Sequence, residues 1–209
     1  MFGCLRKLGC LVIIVAAAGG YYWYSHHHGT SADTTVAAGT WIPVTTAAAE
    51  RGQAAIQSLQ GTGKSYVHLS PAEAAGYLLL RSAKGIPASA QSTQASITGN
   101  TLHVRSVVDL RQIGASHLLG PVASMFSGPD TLELSGTTDV VRTGMAQLRV
   151  TNVKFHDITL PSAVIPKLLD QLRGPAPAGV AADGVPLILP PYVGDVRIAN
   201  GRVIVYKNV

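Results

Sequence analysis

Two hundred and nine residues, 47% of them apolar and only 13% charged, exclude a chain disordered along its length, because disorder needs low hydrophobicity and high charge. A single long apolar run near the start excludes a polytopic transporter. Sixteen basic and eleven acidic residues give a net charge of +5 and a pI of 9.4, but two of the basic residues, Arg6 and Lys7, precede the apolar run and the rest form no block. Nucleic acid therefore has no electrostatic footprint to bind.

Residues 1–7 read as a short cytoplasmic tail and residues 8–24 (LGCLVIIVAAAGGYYWY) as a transmembrane anchor. Seventeen uncharged positions give about 25 Å of helix at about 1.5 Å per residue, the short end of what spans a bilayer. Arg6 and Lys7 precede this run and no basic residue follows before Arg51, so the positive-inside rule keeps the N-terminus in the cytoplasm and exports the remainder. Tyr21, Tyr22, Trp23 and Tyr24 would form the outer aromatic belt. Ala16-Ala17-Ala18 also satisfies a signal-peptide cleavage site. Cleavage there would strand four aromatics on the mature tail, which favours the anchor; in both readings the folded domain lies outside the cytoplasm.

Cys4 and Cys10 are the only cysteines, so the exported domain has no disulfide. The apolar run follows Cys10, the wrong order for a lipoprotein signal. Residues 25–44 read as a linker, small and polar for most of their length. His26, His27 and His28 are adjacent, and three adjacent side chains on a regular element cannot all face one ion.

Residues 45–209 form the extracytoplasmic domain in this reading. An alanine-rich helix from Thr45 or Thr46 ends at Gly61. Tyr66 to Leu69 is a short strand, and Ser70-Pro71-Ala72-Glu73 is a capping box with proline at the first helical position, opening a helix to about Lys84. Ala95 to Thr98 and Thr101 to Leu110 form a hairpin through Gly99-Asn100. Ile113 to Phe126 is weakly helical, with Leu118, Val122, Met125 and Phe126 on one stripe.

A second hairpin joins Thr131 to Arg142 with Met145 to Thr159, turning near Thr143-Gly144. Its return strand carries Leu148 and Val150 at even positions but Val153 and Phe155 at odd ones. The inward face must switch near Thr151-Asn152, which a bulge would do. A helix from Ser162 to Arg173 follows, with Ile165, Leu168, Leu169 and Leu172 on one face. After a loop over 174–185, a third hairpin joins Gly194 to Ala199 with Arg202 to Lys207 through Asn200-Gly201. The fold class that results is α+β, a curved antiparallel sheet built from consecutive hairpins with packed helices.

Chemistry is sparse. Gly61-Thr62-Gly63-Lys64-Ser65 resembles the end of a P-loop, but position 58 is Ser58 where that motif needs glycine, and a helix precedes and a strand follows, the reverse of the P-loop context. No nucleotide site is expected. The chain has no G-x-S-x-G elbow, and His156-Asp157 alone is too little to specify a metal site. His68, His103 and His117 have no spacing that makes them converge. Glu50, Glu73 and Glu133 are the only glutamates, and Glu73 is used by its cap, so paired-carboxylate catalysis has little to work with. Neither cofactor nor metal is expected.

Three segments carry a resemblance: YVHLSPAEAAGYLL, LRVTNVKFHDITLPSAVIPKLLDQL and VPLILPPYVGDVRIANGRVIVYKNV. In order and spacing, residues 66–209 resemble the YpmS-like and LmeA-like bacterial envelope proteins, relatives of tubular lipid-binding (TULIP-like) domains. The resemblance implies a membrane-anchored, extracytoplasmic lipid-binding or envelope-maintenance protein without catalytic activity, holding acyl chains in a groove between sheet and helices. It supplies no motif residues, so the expected lining comes from the stripes: Leu118, Val122, Met125, Phe126, Ile165, Leu168, Leu169 and Leu172. The expected partner is membrane lipid. The rival is a protein-interaction module whose stripes close a dry core and whose partner is another envelope protein. A hydrolase with an unrecognised site is the third reading.

Overall fold

The computed structural model describes residues 39–81, 91–109, 128–156 and 158–208, which fold into two antiparallel sheets and three helices within one unit, Val36–Val209. The large sheet has seven strands: β1 (Ile42–Pro43), β3 (Gln91–Thr98), β4 (Thr101–Asp109), β5 (Pro129–Arg142), β6 (Met145–Phe155), β7 (Ile158–Thr159) and β8 (Gly184–Ile188). The small one has three, in the order β2 (Tyr66–Leu69), β10 (Arg202–Lys207), β9 (Val193–Ala199). The α+β class and the large antiparallel sheet are as the sequence predicts. No helix among the described residues is long and apolar enough to cross a membrane. The expected anchor, residues 8–24, lies outside the described residues, as does the predicted helix over 113–126.

Helix α1 (Thr46–Gln57) is capped by Thr45, whose hydroxyl accepts from the Ala48 amide at 3.1 Å, and a 3-10 turn (Ser58–Gln60) carries it to Gly61. Helix α2 (Pro71–Arg81) opens on the predicted capping box, with the Ser70 amide donating to Glu73 Oε2 at 2.9 Å and the Glu73 amide to Ser70 Oγ at 3.3 Å. The small residues of α1 have a packing reason. A methyl group on Gly52 would lie 2.6 Å from the Glu73 carbonyl oxygen, and one on Gly76 would lie 2.9 Å from the Ala49 backbone. The two helices touch backbone to backbone, which only glycine and alanine at the crossing allow.

Two of the three predicted hairpin turns join strands within the large sheet, β3 to β4 and β5 to β6. The predicted switch of face is a bulge: Ser135 pairs with Asn152 and Gly136 with Val150, leaving Thr151 as the extra residue. Ala146, Leu148 and Val150 are buried before it, Val153 and Phe155 after it. Gly136 faces the bulge so closely that an added Cβ would stand 2.2 Å from the Arg149 carbonyl oxygen.

Four features differ from the sequence reading. The return strand stops at Phe155 instead of reaching Thr159; His156 takes a positive φ of 55°, and Ile158–Thr159 folds back as β7 against Lys154 and Phe155. The third hairpin does not extend the large sheet. It turns at Asn200 and Gly201, both with positive φ, and pairs through β10 with β2, a partner more than 130 residues away in sequence. Local periodicity carries no information about such a partner. The segment over 184–188, read partly as loop, is β8, pairing with β6 from Met145 to Arg149. Residues 39–44, assigned to the linker, run along β3: Gly39 donates to the Ile97 carbonyl and Val44 to that of Thr93.

Two apolar clusters result. One joins α1, α2, the inner face of the small sheet and one end of the large sheet, around Ile56, Leu59, Leu69, Leu102, Val193 and Val205. The other gathers Val108, Leu132, Val150, Val153, Phe155 and Leu160 under α3 (Ile165–Arg173).

Candidate functional site

Helix α3 begins after a 3-10 turn, with Pro166 early enough that its missing amide breaks no helical bond. Ile165, Leu168 and Leu169 are 3%, 3% and 1% exposed and all belong to the second cluster. The structure thus brings three of the eight expected lining residues together, against strands β5 and β6 and sealed from solvent. The side chain of Leu172 and residues Leu118, Val122, Met125 and Phe126 lie outside the described set.

An open cleft lies elsewhere, between α1 and the segment that follows β8. Its volume is about 560 Å³, within the range typical of small-molecule sites. Ile56, Tyr77 and Leu189 are its buried floor. Gln57, Gln60, Ile188 and Pro191 are its exposed rim, with Gln53, Pro190 and Tyr192 between. Each part has a local cause. Gln53, Ile56, Gln57 and Gln60 recur at i, i+3, i+4 and i+7, which puts them on one side of the helix and its terminal turn. Pro190 and Pro191 cannot continue β8, so the chain leaves the sheet there and crosses to β9. The Leu189 amide bonds the Gly144 carbonyl, and the Tyr192 carbonyl accepts from Asn208 at 2.7 Å, pinning both ends of that crossing.

Among the described residues no charged side chain lines the cleft, and its polar groups are glutamine amides, the phenols of Tyr77 and Tyr192, and backbone. Such a lining excludes water from an aliphatic group along the floor while offering donors and acceptors at the rim. It holds no nucleophile paired with a base.

Chemistry-bearing residues also meet on the face of the large sheet that carries His103, Arg105, Glu133 and Ser135, with Ser135 itself buried. Register sets Ser135 opposite His103 and Glu133 opposite Arg105. Ser135 Oγ lies 2.8 Å from His103 Nδ1 and Glu133 Oε1 lies 3.3 Å from the same nitrogen. Trp41 stands edge-on to His103, and the Arg105 guanidinium lies 4.1 Å over the Trp41 ring while bonding Gln94 Oε1. A serine, a histidine and a glutamate within hydrogen-bonding reach resemble a nucleophile relay, but the geometry is wrong for one. The relay needs serine on one imidazole nitrogen and the carboxylate on the other, so that the ring accepts one proton while donating another. Here both crowd Nδ1, which closes a local network and leaves the serine without a separate base. Sequence reasoning named His103 and Glu133 and missed their meeting, because strand register across β4 and β5 is what joins them.

Of the remaining sequence candidates, His156 pairs with Asp130 at 3.1 Å, and Asp157 lies outside the described residues, as does His117. In the P-loop-like stretch, Lys64 reaches Ser58 Oγ at 3.5 Å, the Ser65 carbonyl accepts from Lys207, and β2 follows at once. Among the described residues no group of three or more metal-ligating side chains is present.

The fold is that of an α+β domain with a large antiparallel sheet and an open cleft. Comparison of the chain with family models, with curated proteins and with solved structures finds no match. The likeness to the YpmS-like and LmeA-like proteins stands on its three sequence segments alone.

Proposed function

We propose that the chain is a non-catalytic lipid-binding protein of the cell envelope, held in the cytoplasmic membrane by residues 8–24 with its N-terminus inside and its α+β domain outside. The observation that carries the reading is the uncharged, apolar-floored cleft of about 560 Å³ between α1 and residues 188–192. An aliphatic chain on Ile56, Tyr77 and Leu189 would gain about 0.8 kcal/mol per buried methylene, which offsets part of the work of drawing a lipid from a bilayer. This reading puts the acyl site on the face of α1, whereas the sequence reading put it on the stripe of Leu118, Val122, Met125 and Phe126 together with the face of α3.

The test is native mass spectrometry with lipid extraction on the unit Val36–Val209, exported to a periplasm and purified without detergent. A bound species of phospholipid mass is expected, and Ile188→Asp should abolish it without unfolding the domain, since Ile188 is 53% exposed. A folded but empty domain would overturn the reading. One observation favours a second: the dry closure of Ile165, Leu168 and Leu169 is what an interaction module with a sealed core requires. An empty domain would pass to that reading.

A further inference from the structure

The polar face of the large sheet holds a guanidinium that is fixed in place and has no carboxylate on it. Register sets Gln94, Arg105, Glu133 and Lys154 in one row across β3, β4, β5 and β6. Gln94 Oε1 accepts from Arg105 Nε at 2.9 Å and from Nη2 at 2.6 Å, and the Trp41 ring lies against the guanidinium at 4.1 Å. Those bonds use the N–H pair along the side of the group. The end formed by Nη1 and Nη2 keeps a parallel pair of donors with no partner among the described residues. Arg51, Arg149 and Arg197 differ, each meeting a carboxylate: Glu73, Asp183 and Asp195.

The carboxylate of the same row is directed elsewhere. Glu133 Oε1 is turned to the neighbouring row, 3.3 Å from His103 Nδ1 and 3.5 Å from Ser135 Oγ, and it stands in register between Arg105 and Lys154, one carboxylate between two cations. The row therefore carries one positive charge in excess. In the neighbouring row Ser96 pairs with His103, is 2% exposed, and has an Oγ with no hydrogen-bond partner among the described residues. Trp41 touches both rows, edge-on to His103 with ring centroids 6.4 Å apart. An arginine whose planar fork is held before a ligand arrives loses little further side-chain freedom on binding, and a fork of parallel N–H donors matches the paired oxygens of an oxyanion.

We propose that Arg105, supported by Gln94 and Trp41, binds a singly charged oxyanion, a carboxylate or a phosphodiester, end-on through Nη1 and Nη2. One negative charge matches the one positive charge that the row has in excess, and Glu133 beside the site opposes a second. Strand alternation puts this site on the opposite face of the large sheet from Ile97, Leu102, Leu132 and Val153, which close the two apolar clusters. It therefore stands apart from the cleft and does not depend on the lipid reading.

The experiment labels the full chain with fluorotryptophan, which gives two fluorine resonances because Trp23 and Trp41 are the only tryptophans, and Trp23→Phe assigns them. In nonionic micelles at constant ionic strength, acetate or dimethyl phosphate replacing chloride should shift the Trp41 resonance saturably and leave that of Trp23 in place. Arg105→Gln should abolish the shift, and Arg105→Lys, which keeps the charge but loses the fork, should weaken binding at least about tenfold. Arg105 is partly exposed, so both variants should keep the circular dichroism spectrum of the unsubstituted chain; if Arg105→Gln fails to fold, the comparison with Arg105→Lys carries the test. Micelles doped with phosphatidylglycerol separate the sources: a Trp41 shift there in chloride alone assigns the site to a lipid head group, and a shift with the free anions alone assigns it to a soluble ligand. No saturable Trp41 shift with any of the three probes overturns the proposal, and so does a shift that survives in Arg105→Gln or binding of equal strength in Arg105→Lys. A cleft found empty of lipid leaves these outcomes unchanged, because the two sites lie on opposite faces of the sheet.

Discussion

Leu169→Ala separates a sealed core from a lined groove. Leu169 is 1% exposed in the cluster that joins α3 to β5 and β6. Removing its isobutyl end forfeits about two to three methylene equivalents of burial, roughly 2 kcal/mol at about 0.8 kcal/mol each. If the site collapses only halfway, a residual cavity of about 40 Å³ adds about 1 kcal/mol at roughly 24 cal/mol per Å³. The total is about 3 kcal/mol. Urea denaturation followed by circular dichroism measures it: with a slope of about 2 kcal/mol per molar, the midpoint should fall by about 1.5 M with the slope unchanged. The exposed comparator is Ile158→Ala, at a residue 40% exposed, which should lose less than about 1 kcal/mol. A loss at Leu169 as small as that at Ile158 would refute the sealed core, and would return the face of α3 to the solvent-open or lipid-open groove that the sequence reading expected.

Two further substitutions test the scaffold. Gly136→Ala should lose about 3 kcal/mol by the same denaturation assay, because its Cβ would meet the Arg149 carbonyl at 2.2 Å and the bulge must shift to admit it; a loss under about 1 kcal/mol would mean that the bulge is compliant. Ser70→Ala should lose about 1 kcal/mol and speed amide exchange in the first turn of α2, since the Glu73 amide loses its acceptor; unchanged exchange there would mean that the capping box does not hold the start of the helix.

Much of this fold follows from short-range rules that the chain states openly. The capping box at Ser70 and Glu73 needs residues three apart, and the turns at Gly99-Asn100 and Asn200-Gly201 need backbone that glycine and asparagine reach at low cost. The bulge at Thr151 was legible as well, because one inserted residue moves the buried set of an alternating strand from even to odd positions. What lay beyond such rules concerned partners. That β10 pairs with β2, that β8 lies beside β6, and that residues 39–44 run along β3 were decided by which apolar faces could be buried together.

The candidate site divides in the same way. The stripe of Ile165, Leu168 and Leu169 was visible in the sequence at helical spacing, yet spacing cannot say whether a stripe meets a closed cluster or a ligand; the packing of Val150, Val153 and Phe155 against it decided that. The cleft itself was invisible, since its walls come from the 53–60 and 188–192 segments, far apart in the chain. Its position follows from the close crossing at Gly52 and Gly76, which fixes α1 against α2, and from two prolines that end β8. By itself the sequence determined most of the described helices and strands, their caps, their turns and the scarcity of charge, because these depend on residues within a few positions of one another. Only the tertiary structure decided which surfaces close and which stay open, because that depends on the sum of burial over segments that no local pattern connects.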